Sequence, residues 1–492
     1  MKKRSILVVY MLLFGLLSTA TAQVKIDTAG LQKLKSGLKS MSKQAGLEHA
    51  LWGFCLMDPK TGNVLAGYEE NKSLTPASSQ KVFTTLSALH YLGADYRFET
   101  YLEYDGILGK DSVLQGNIYI RGTGDPTLGS MRIDSIPADT LLAQWAHIIR
   151  KKGINRITGS IIADASAWED YATVGSWNWD DIGQYYGAGA SALNFMENTY
   201  TVYYSSTTKN ATIDSVVPEI EGLTFWNDVT VSGSSDNAFI YGAPDNYYRY
   251  ITGTIPANKK GYAVDGSMPD PPLFLALKLK QALIQSGIPV EKQATTVYAL
   301  RRAQIPVNPT RRLLYTHSSP TIGEIVKATN MKSNNLYAEC LLKAVAKQTS
   351  GNGNRSAGAD AVTQYCVSAG VDVSGVHIED GSGLSRLNYF TPKSMCQLLT
   401  HANKSSYFST FYASLPIAGK TGTLKSFADN TSAEGDIIAK SGSMYKVRSY
   451  SGYVKTSSGE LLTFCVLVNN YSYNNAEIRS ALEKLAVLMA GL

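Results

Sequence analysis

Ser78 and Lys81 stand three residues apart in Leu74-Thr75-Pro76-Ala77-Ser78-Ser79-Gln80-Lys81, at the head of a helical pattern over 78–92 that Gly93 closes. This spacing sets both side chains on one helix face. A serine hydroxyl is a poor nucleophile until a neighbouring base takes its proton. A lysine partly desolvated beside other cations loses pKa and can be that base. The start of the helix adds unpaired N–H groups that favour developing negative charge. The chemistry implied is acyl transfer through an ester on Ser78.

Two later strings complete such a site. Ser333-Asn334-Asn335 falls between helical patterns over 321–329 and 335–347. A break there can point a hydroxyl and a carboxamide into a cleft, with Ser333 passing a proton to the leaving amine and Asn335 holding Lys81 and the substrate amide. Lys440-Ser441-Gly442-Ser443 opens a strand pattern. Lys440 is expected on an edge strand lining the cleft, where it attracts a carboxylate. Gly442 is expected to give substrate room beside the backbone. The N–H groups of Ser78 and Ser443 are candidates for an oxyanion hole.

Context separates these strings from their copies. S-x-x-K recurs at Ser36, Ser40, Ser206 and Ser443, and S-x-N at Ser176, Ser235 and Ser472. Ser36 and Ser40 lie in a lysine-rich amphipathic stretch, Ser206 in a polar turn and Ser443 in a strand. Ser235-Asp236-Asn237 follows Ser232-Gly233-Ser234, which reads as a hairpin turn. Lys420-Thr421-Gly422 follows loop-like Leu415-Pro416-Ile417-Ala418-Gly419, with no strand pattern after it, so Lys440 is preferred.

The elements that must hold the site read as follows. Residues 51–57 and 63–68 form a hairpin. The chain ends as three strands, 437–445, 449–455 and 461–469, and a helix over 476–492. Between about 97 and 305 the texture is short alternating strands, including 112–121, 157–163 and 198–204, with one helix over 273–286. The fold class is α+β: an antiparallel sheet flanked by helices, split by a large β-rich insertion. The expected division is a signal peptide over 1–22, a catalytic domain over 23–96 plus 306–492, and an inserted unit over 97–305. Gly122-Thr123-Gly124-Asp125-Pro126 fits a nucleotide loop poorly, because of its proline and the lack of a βαβ unit.

Lys2, Lys3 and Arg4, an apolar run over 6–17 and a small A-x-A site describe a secretory signal cleaved after Ala22. The run is too short for a permanent anchor. The net charge falls from +6 to +3 without those three basic residues, and no basic cluster points to nucleic acid. The 492 residues imply more than one domain. Tyrosine outnumbers phenylalanine 30 to 13, as sugar-stacking surfaces or, more blandly, tyrosine-rich strands would give. Cys55, Cys340, Cys366, Cys396 and Cys465 are scattered and odd in number, which fits buried thiols rather than a disulfide framework. The six histidines show no zinc-ligand spacing.

Taken with Gly124-Asp125-Pro126-Thr127-Leu128, Asp380-Gly381-Ser382-Gly383-Leu384-Ser385-Arg386 and Leu415-Pro416-Ile417-Ala418-Gly419, the three strings resemble the D-alanyl-D-alanine carboxypeptidase/endopeptidase group of penicillin-binding proteins, the low-molecular-mass class C members. The resemblance covers nearly all of the mature chain. It implies a penicillin-binding, serine β-lactamase-like fold, cleavage of peptidoglycan stem peptides through Ser78, acylation by β-lactams, a periplasmic location and no metal or organic cofactor. In that group the Leu415–Gly419 string precedes the lysine motif, which supports Lys440. It also implies an acidic residue after a W-x-W string; Trp177-Asn178-Trp179-Asp180-Asp181 matches, with Asp181 the expected equivalent and Asp180 next to it. Asn334 and Ser441 stand where Asp and Thr are also found. A serine β-lactamase or esterase, and an inactive wall-binding scaffold, are the alternatives.

Overall fold

The computed structural model describes residues 27–133 and 136–492. The signal sequence expected over 1–22 lies outside the described residues.

Both chain ends build one antiparallel sheet. Its order is Ile437–Met444, Val447–Lys455, Leu461–Asn469, Leu51–Met57, Val64–Tyr68. The N-terminal hairpin therefore pairs with the C-terminal strands, with Cys55 opposite Cys465. Strand periodicity divides the side chains between two cores. Phe54, Leu56, Phe464 and Val466 face helices Thr28–Met41 and Asn475–Ala490 through Leu34, Leu38, Ile478 and Leu482. Cys55, Met57, Cys465 and Leu467 face the larger helical layer. At its centre, helix Lys81–Tyr91 is buried at every position from Lys81 to Leu89. All five cysteines are buried free thiols.

The insertion has its own core. A five-stranded sheet runs Thr295–Thr296, Ile161–Asp164, Ile118–Gly122, Arg97–Tyr104, Arg312–Thr321. Its edge strand Arg312–Thr321 pairs antiparallel with Arg97–Tyr104. Three three-stranded sheets lie within it: Ala211–Val217, Thr199–Ser206 and Tyr262–Ser267; Thr224–Val231, Tyr248–Ile255 and Phe239–Tyr241; and the short Ile107–Leu108, Val113–Gln115 and Arg156–Ile157. Ser206 ends a strand rather than lying in a turn.

The expected strands over 112–121 and 157–163 each break. Val113–Gln115 and Ile118–Gly122 join different sheets, as do Arg156–Ile157 and Ile161–Asp164. The breaks sit at Gly116 and Gly159, where a Cβ would lie 2.2 Å from the carbonyls of Asp105 and Gly116 respectively. The insertion also holds a second long helix, Ala138–Lys151, which packs against Pro271–Gln285. Its buried Leu141, Leu142, Trp145, Ala146 and Ile149 follow helical spacing.

Candidate active site

Ser78 lies in a 3-10 turn, Ala77–Gln80, that leads into the Lys81 helix. Ala77 has φ +49°, a left-handed backbone that turns the chain sharply before the serine. The strand carrying Lys440 is the sheet edge, as expected, and presses on this turn. Gly442 is needed for that contact: a Cβ there would sit 2.5 Å from the Pro76 carbonyl and 2.9 Å from the Ser78 nitrogen. The space reserved by this glycine is thus filled by the nucleophile turn rather than by substrate.

Lys81 is fully buried, and its Nζ has three close partners. These are Ser78 Oγ at 3.0 Å, Asn335 Oδ1 at 2.6 Å and the Ser382 carbonyl at 2.6 Å. Asn335 Nδ2 donates to the Tyr186 carbonyl at 2.8 Å, which fixes the amide with its oxygen toward the lysine. Asn335 Oδ1 and the Ser382 carbonyl can only accept. A neutral amine therefore spends its two N–H groups on them, and its lone pair is left facing the Ser78 hydroxyl. Burial pulls Lys81 from 10.5 to about 7, against the opposing pull of Asp380 and Glu339.

Those carboxylates shape the loop that supplies the carbonyl. Glu339 accepts from the Gly381 and Ser382 nitrogens at 3.1 and 2.8 Å. Burial, and then the neighbouring Asp380, push its own pKa up. Asp380 accepts from the nitrogens of Gly383 and Ser385, both at 2.6 Å, and from Asn388 Nδ2 at 2.8 Å. Trp177, from the insertion, donates its indole N–H to Asp380 at 2.8 Å. The W-x-W string is thereby latched to the catalytic domain.

Ser333 and Asn334 are the whole break between helices Ile322–Lys332 and Asn335–Ser350. Ser333 takes the left-handed conformation, φ 57°, and Asn334 caps the second helix by accepting from the Tyr337 nitrogen at 3.1 Å. Asn334 Nδ2 donates to Glu197 of the insertion at 2.7 Å. Ser333 Oγ accepts from Lys440 Nζ at 2.9 Å. Lys440 is fully buried, and burial and then Lys81 drive its pKa well down. It does not line the cleft, contrary to the sequence expectation, but backs Ser333 from inside.

The cleft itself, about 580 Å³, is lined by Ser78, Ser333, Asn335 and Ser443 on one side, and by Asp180, Asp181 and Tyr186 of the insertion on another. Asp181 is half-buried; desolvation, then Asp180, raise its pKa, while a hydrogen bond from Tyr186 and the charge of Arg386 oppose the rise. Asp180 is exposed. Ser441 Oγ meets Thr423 Oγ1 at 2.7 Å instead of lining the cleft. Of the decoys, Lys420 lies near Gly435 rather than beside Ser78, and the 235–237 string sits outside the cleft. In the string over 122–126, Asp125 Oδ1 accepts from Thr127 N and Oγ1 in a tight local turn.

Sequence reasoning missed Glu339, Asp380 and Tyr186. Asp380 stood inside a quoted string. Glu339 lies on the helix of Asn335, one turn on, and so faces the same side. Tyr186 acts through its carbonyl, which leaves no trace in residue type.

A serine–lysine pair at a helix start, flanked by a second pair in which Lys440 of a five-stranded antiparallel sheet meets Ser333 of a helix break, defines an acyl-transfer enzyme of the penicillin-recognising fold. Comparison with known proteins gives the family: the chain belongs to the D-Ala-D-Ala carboxypeptidase 3 (S13) family, whose match spans residues 34–491. It is 29% identical over 472 residues to a D-alanyl-D-alanine carboxypeptidase of Actinomadura sp. strain R39, covering 93% of this chain and 85% of that one. It is 25% identical to the D-alanyl-D-alanine carboxypeptidase DacB of Haemophilus influenzae, covering 87% of each. The crystal structure of penicillin binding protein 4 from Haemophilus influenzae superposes with a TM-score of 0.76 at 23% identity, covering 93% of this chain and 97% of that one, and shows the shared fold. The chain is accordingly a serine-type carboxypeptidase, and its fold class is the one the sequence implied.

Proposed function

We propose that Ser78 attacks the carbonyl between two D-alanine residues of a peptidoglycan stem peptide, and that the same site cleaves D,D-cross-links. The observation that carries this reading is the three-way hold on Lys81, which aims its lone pair at Ser78 Oγ. Its pKa of about 7 leaves a large neutral fraction at physiological pH. As the Ser78 oxygen bonds to the carbonyl carbon, its proton passes to Lys81. The oxyanion is received by the N–H groups of Ser78 and Ser443. The C–N bond then breaks. Ser333 protonates the leaving nitrogen and takes up the proton that Lys81 removed from Ser78, which returns Lys81 to the neutral amine; Lys440, bonded at 2.9 Å, holds the Ser333 oxygen in place. Lys81, neutral again, takes a proton from water as the water oxygen attacks the Ser78 ester, and passes it to the departing Ser78 oxygen, which restores the enzyme. Carboxypeptidase and endopeptidase reactions differ only in the leaving amine.

Asp181, facing the cleft from the insertion, receives the free ammonium of the stem side chain. Lys440 supports the substrate carboxylate through its field and through Ser333, and Ser441 and Ser443 flank the strand that the substrate lies along. β-Lactams occupy the same position and leave a slowly hydrolysed ester on Ser78. The basic, apolar N-terminus supports export to the periplasm. Among the described residues no helix is long and apolar enough to cross a membrane.

The test is intact-protein mass after incubation with penicillin, with Ser78→Ala alongside. One stable adduct, absent from the variant, is expected. Rapid drug loss without an adduct would mean a β-lactamase, and neither adduct nor drug loss would leave only a scaffold.

A further inference from the structure

The outer face of the inserted sheet Thr224–Val231, Tyr248–Ile255, Phe239–Tyr241 is aromatic where solvent-facing strand positions are normally polar. Trp226, Tyr250 and Tyr241 are direct cross-strand partners, so they form a row across all three strands. Tyr248 and Phe239 lie two residues from that row on the same face. Trp226 is 62% exposed, Trp179 57% and Tyr248 49%. The opposite face holds buried Ile240 and Ile251, so the core does not require the outer rings.

The rings are ordered. Trp179, at the start of the Asp181 segment, lies 6.4 Å from Tyr241 at 31°, and Tyr241 lies 6.0 Å from Tyr250 at 31°. They bound a shallow groove of about 370 Å³. Polar groups sit among them: the Tyr250 hydroxyl donates to Asp228 Oδ2 at 3.1 Å, and Asn246 borders the groove. The groove lies beside the cleft: Trp179 lines the groove and the next residue, Asp180, lines the cleft, as does Phe239 of the same sheet.

We propose that this face binds the glycan strand of peptidoglycan, its sugar rings stacked on Trp179, Tyr241, Tyr248, Tyr250 and Trp226 while a stem peptide enters the cleft. Aromatic faces with a polar edge suit a ligand whose rings are apolar on their C–H faces and rimmed by hydroxyls and amides. Asp228 and Asn246 supply acceptors for that rim. An apolar protein partner would leave both carrying unmet polar groups. The assignment of a glycan rests on the peptidase reading, since it is the carrier of the stem peptides that would reach this face.

The experiment titrates wild type, Trp226→Ala and Tyr248→Ala with glycan strands freed of stem peptides, read by calorimetry, and measures penicillin acylation of each in parallel. Saturable binding by wild type is expected, about tenfold weaker in each variant, as the loss of one stacked ring implies, with acylation within about twofold of wild type. No binding of bare glycan by wild type, or equal binding by all three folded proteins, would overturn the proposal. Loss of acylation in wild type would instead refute the peptidase reading, while the glycan titration would still decide this one.

Discussion

Replacing Lys81 with methionine is expected to abolish acylation of Ser78 and to change how stability depends on pH. Burial takes this lysine from 10.5 in the open chain to about 7 in the fold. Between those values the unfolded chain binds a proton that the folded one does not, so stability rises with pH across the window. At about 1.4 kcal/mol per unit, the lysine costs about 3 kcal/mol at pH 8 and almost nothing by about pH 10.5. Methionine carries no charge and so no such slope. It also leaves Asn335 Oδ1 and the Ser382 carbonyl without their donor, at about 1–3 kcal/mol each, but that loss is the same at every pH. Starting at pH 8 keeps the window above the range where Glu339 is expected to take up its proton. Urea unfolding of both proteins from pH 8 to 10.5, followed by tryptophan fluorescence, measures the gap. It should swing by about 3 kcal/mol toward wild type as pH rises. A gap constant within about 1 kcal/mol would refute the buried, depressed lysine and with it the base assigned to Ser78.

The acylation rate with penicillin should climb with pH and level off above about 7, where Lys81 becomes neutral; a rise centred near the ordinary lysine value would exclude it as base. Gly442→Ala puts a Cβ 2.5 Å from the Pro76 carbonyl, so a loss of about 1–3 kcal/mol and slower acylation are expected, read by thermal unfolding and mass spectrometry; unchanged acylation would separate the strand from the nucleophile turn. Asp181→Asn should raise KM about tenfold for stem peptides with a free amine, as loss of one charge-assisted hydrogen bond implies, and leave penicillin acylation unaffected; equal losses with both would move Asp181 into the general scaffold.

The sheet and the helix that carries Ser78 were legible because their signals are local. Leu51–Met57 and Leu461–Asn469 are continuous apolar runs, and the structure returns them at those bounds. Order and context also singled out Ser78, Lys81, Ser333, Asn335 and Lys440, whose side chains the structure brings into two linked hydrogen-bonded groups. The insertion was harder. The breaks at Gly116 and Gly159 answer to carbonyls from other segments, which a local pattern does not contain. Helix Ala138–Lys151 did carry its period, but the strand-rich text around it masked the change. Lys440 was expected to line the cleft, because residue type says that a cation attracts carboxylates and not which way it points; its ammonium turns inward to Ser333.

The insertion is tied to catalysis more closely than a detachable module would be. Asn335 can turn either end of its amide to Lys81, and only the oxygen leaves the lysine lone pair free for Ser78. The Tyr186 carbonyl makes that choice, and it belongs to the insertion. The Ser382 carbonyl is aimed by a loop gathered on Asp380, and Trp177 of the insertion holds that same carboxylate. Glu197, again from the insertion, fixes Asn334 beside Ser333. Each of the three motifs' groups is a common one, able to sit in other arrangements. It is the backbone and carboxylates contributed from between the first motif and the second that select the arrangement in which one buried lysine is a base and the other a donor.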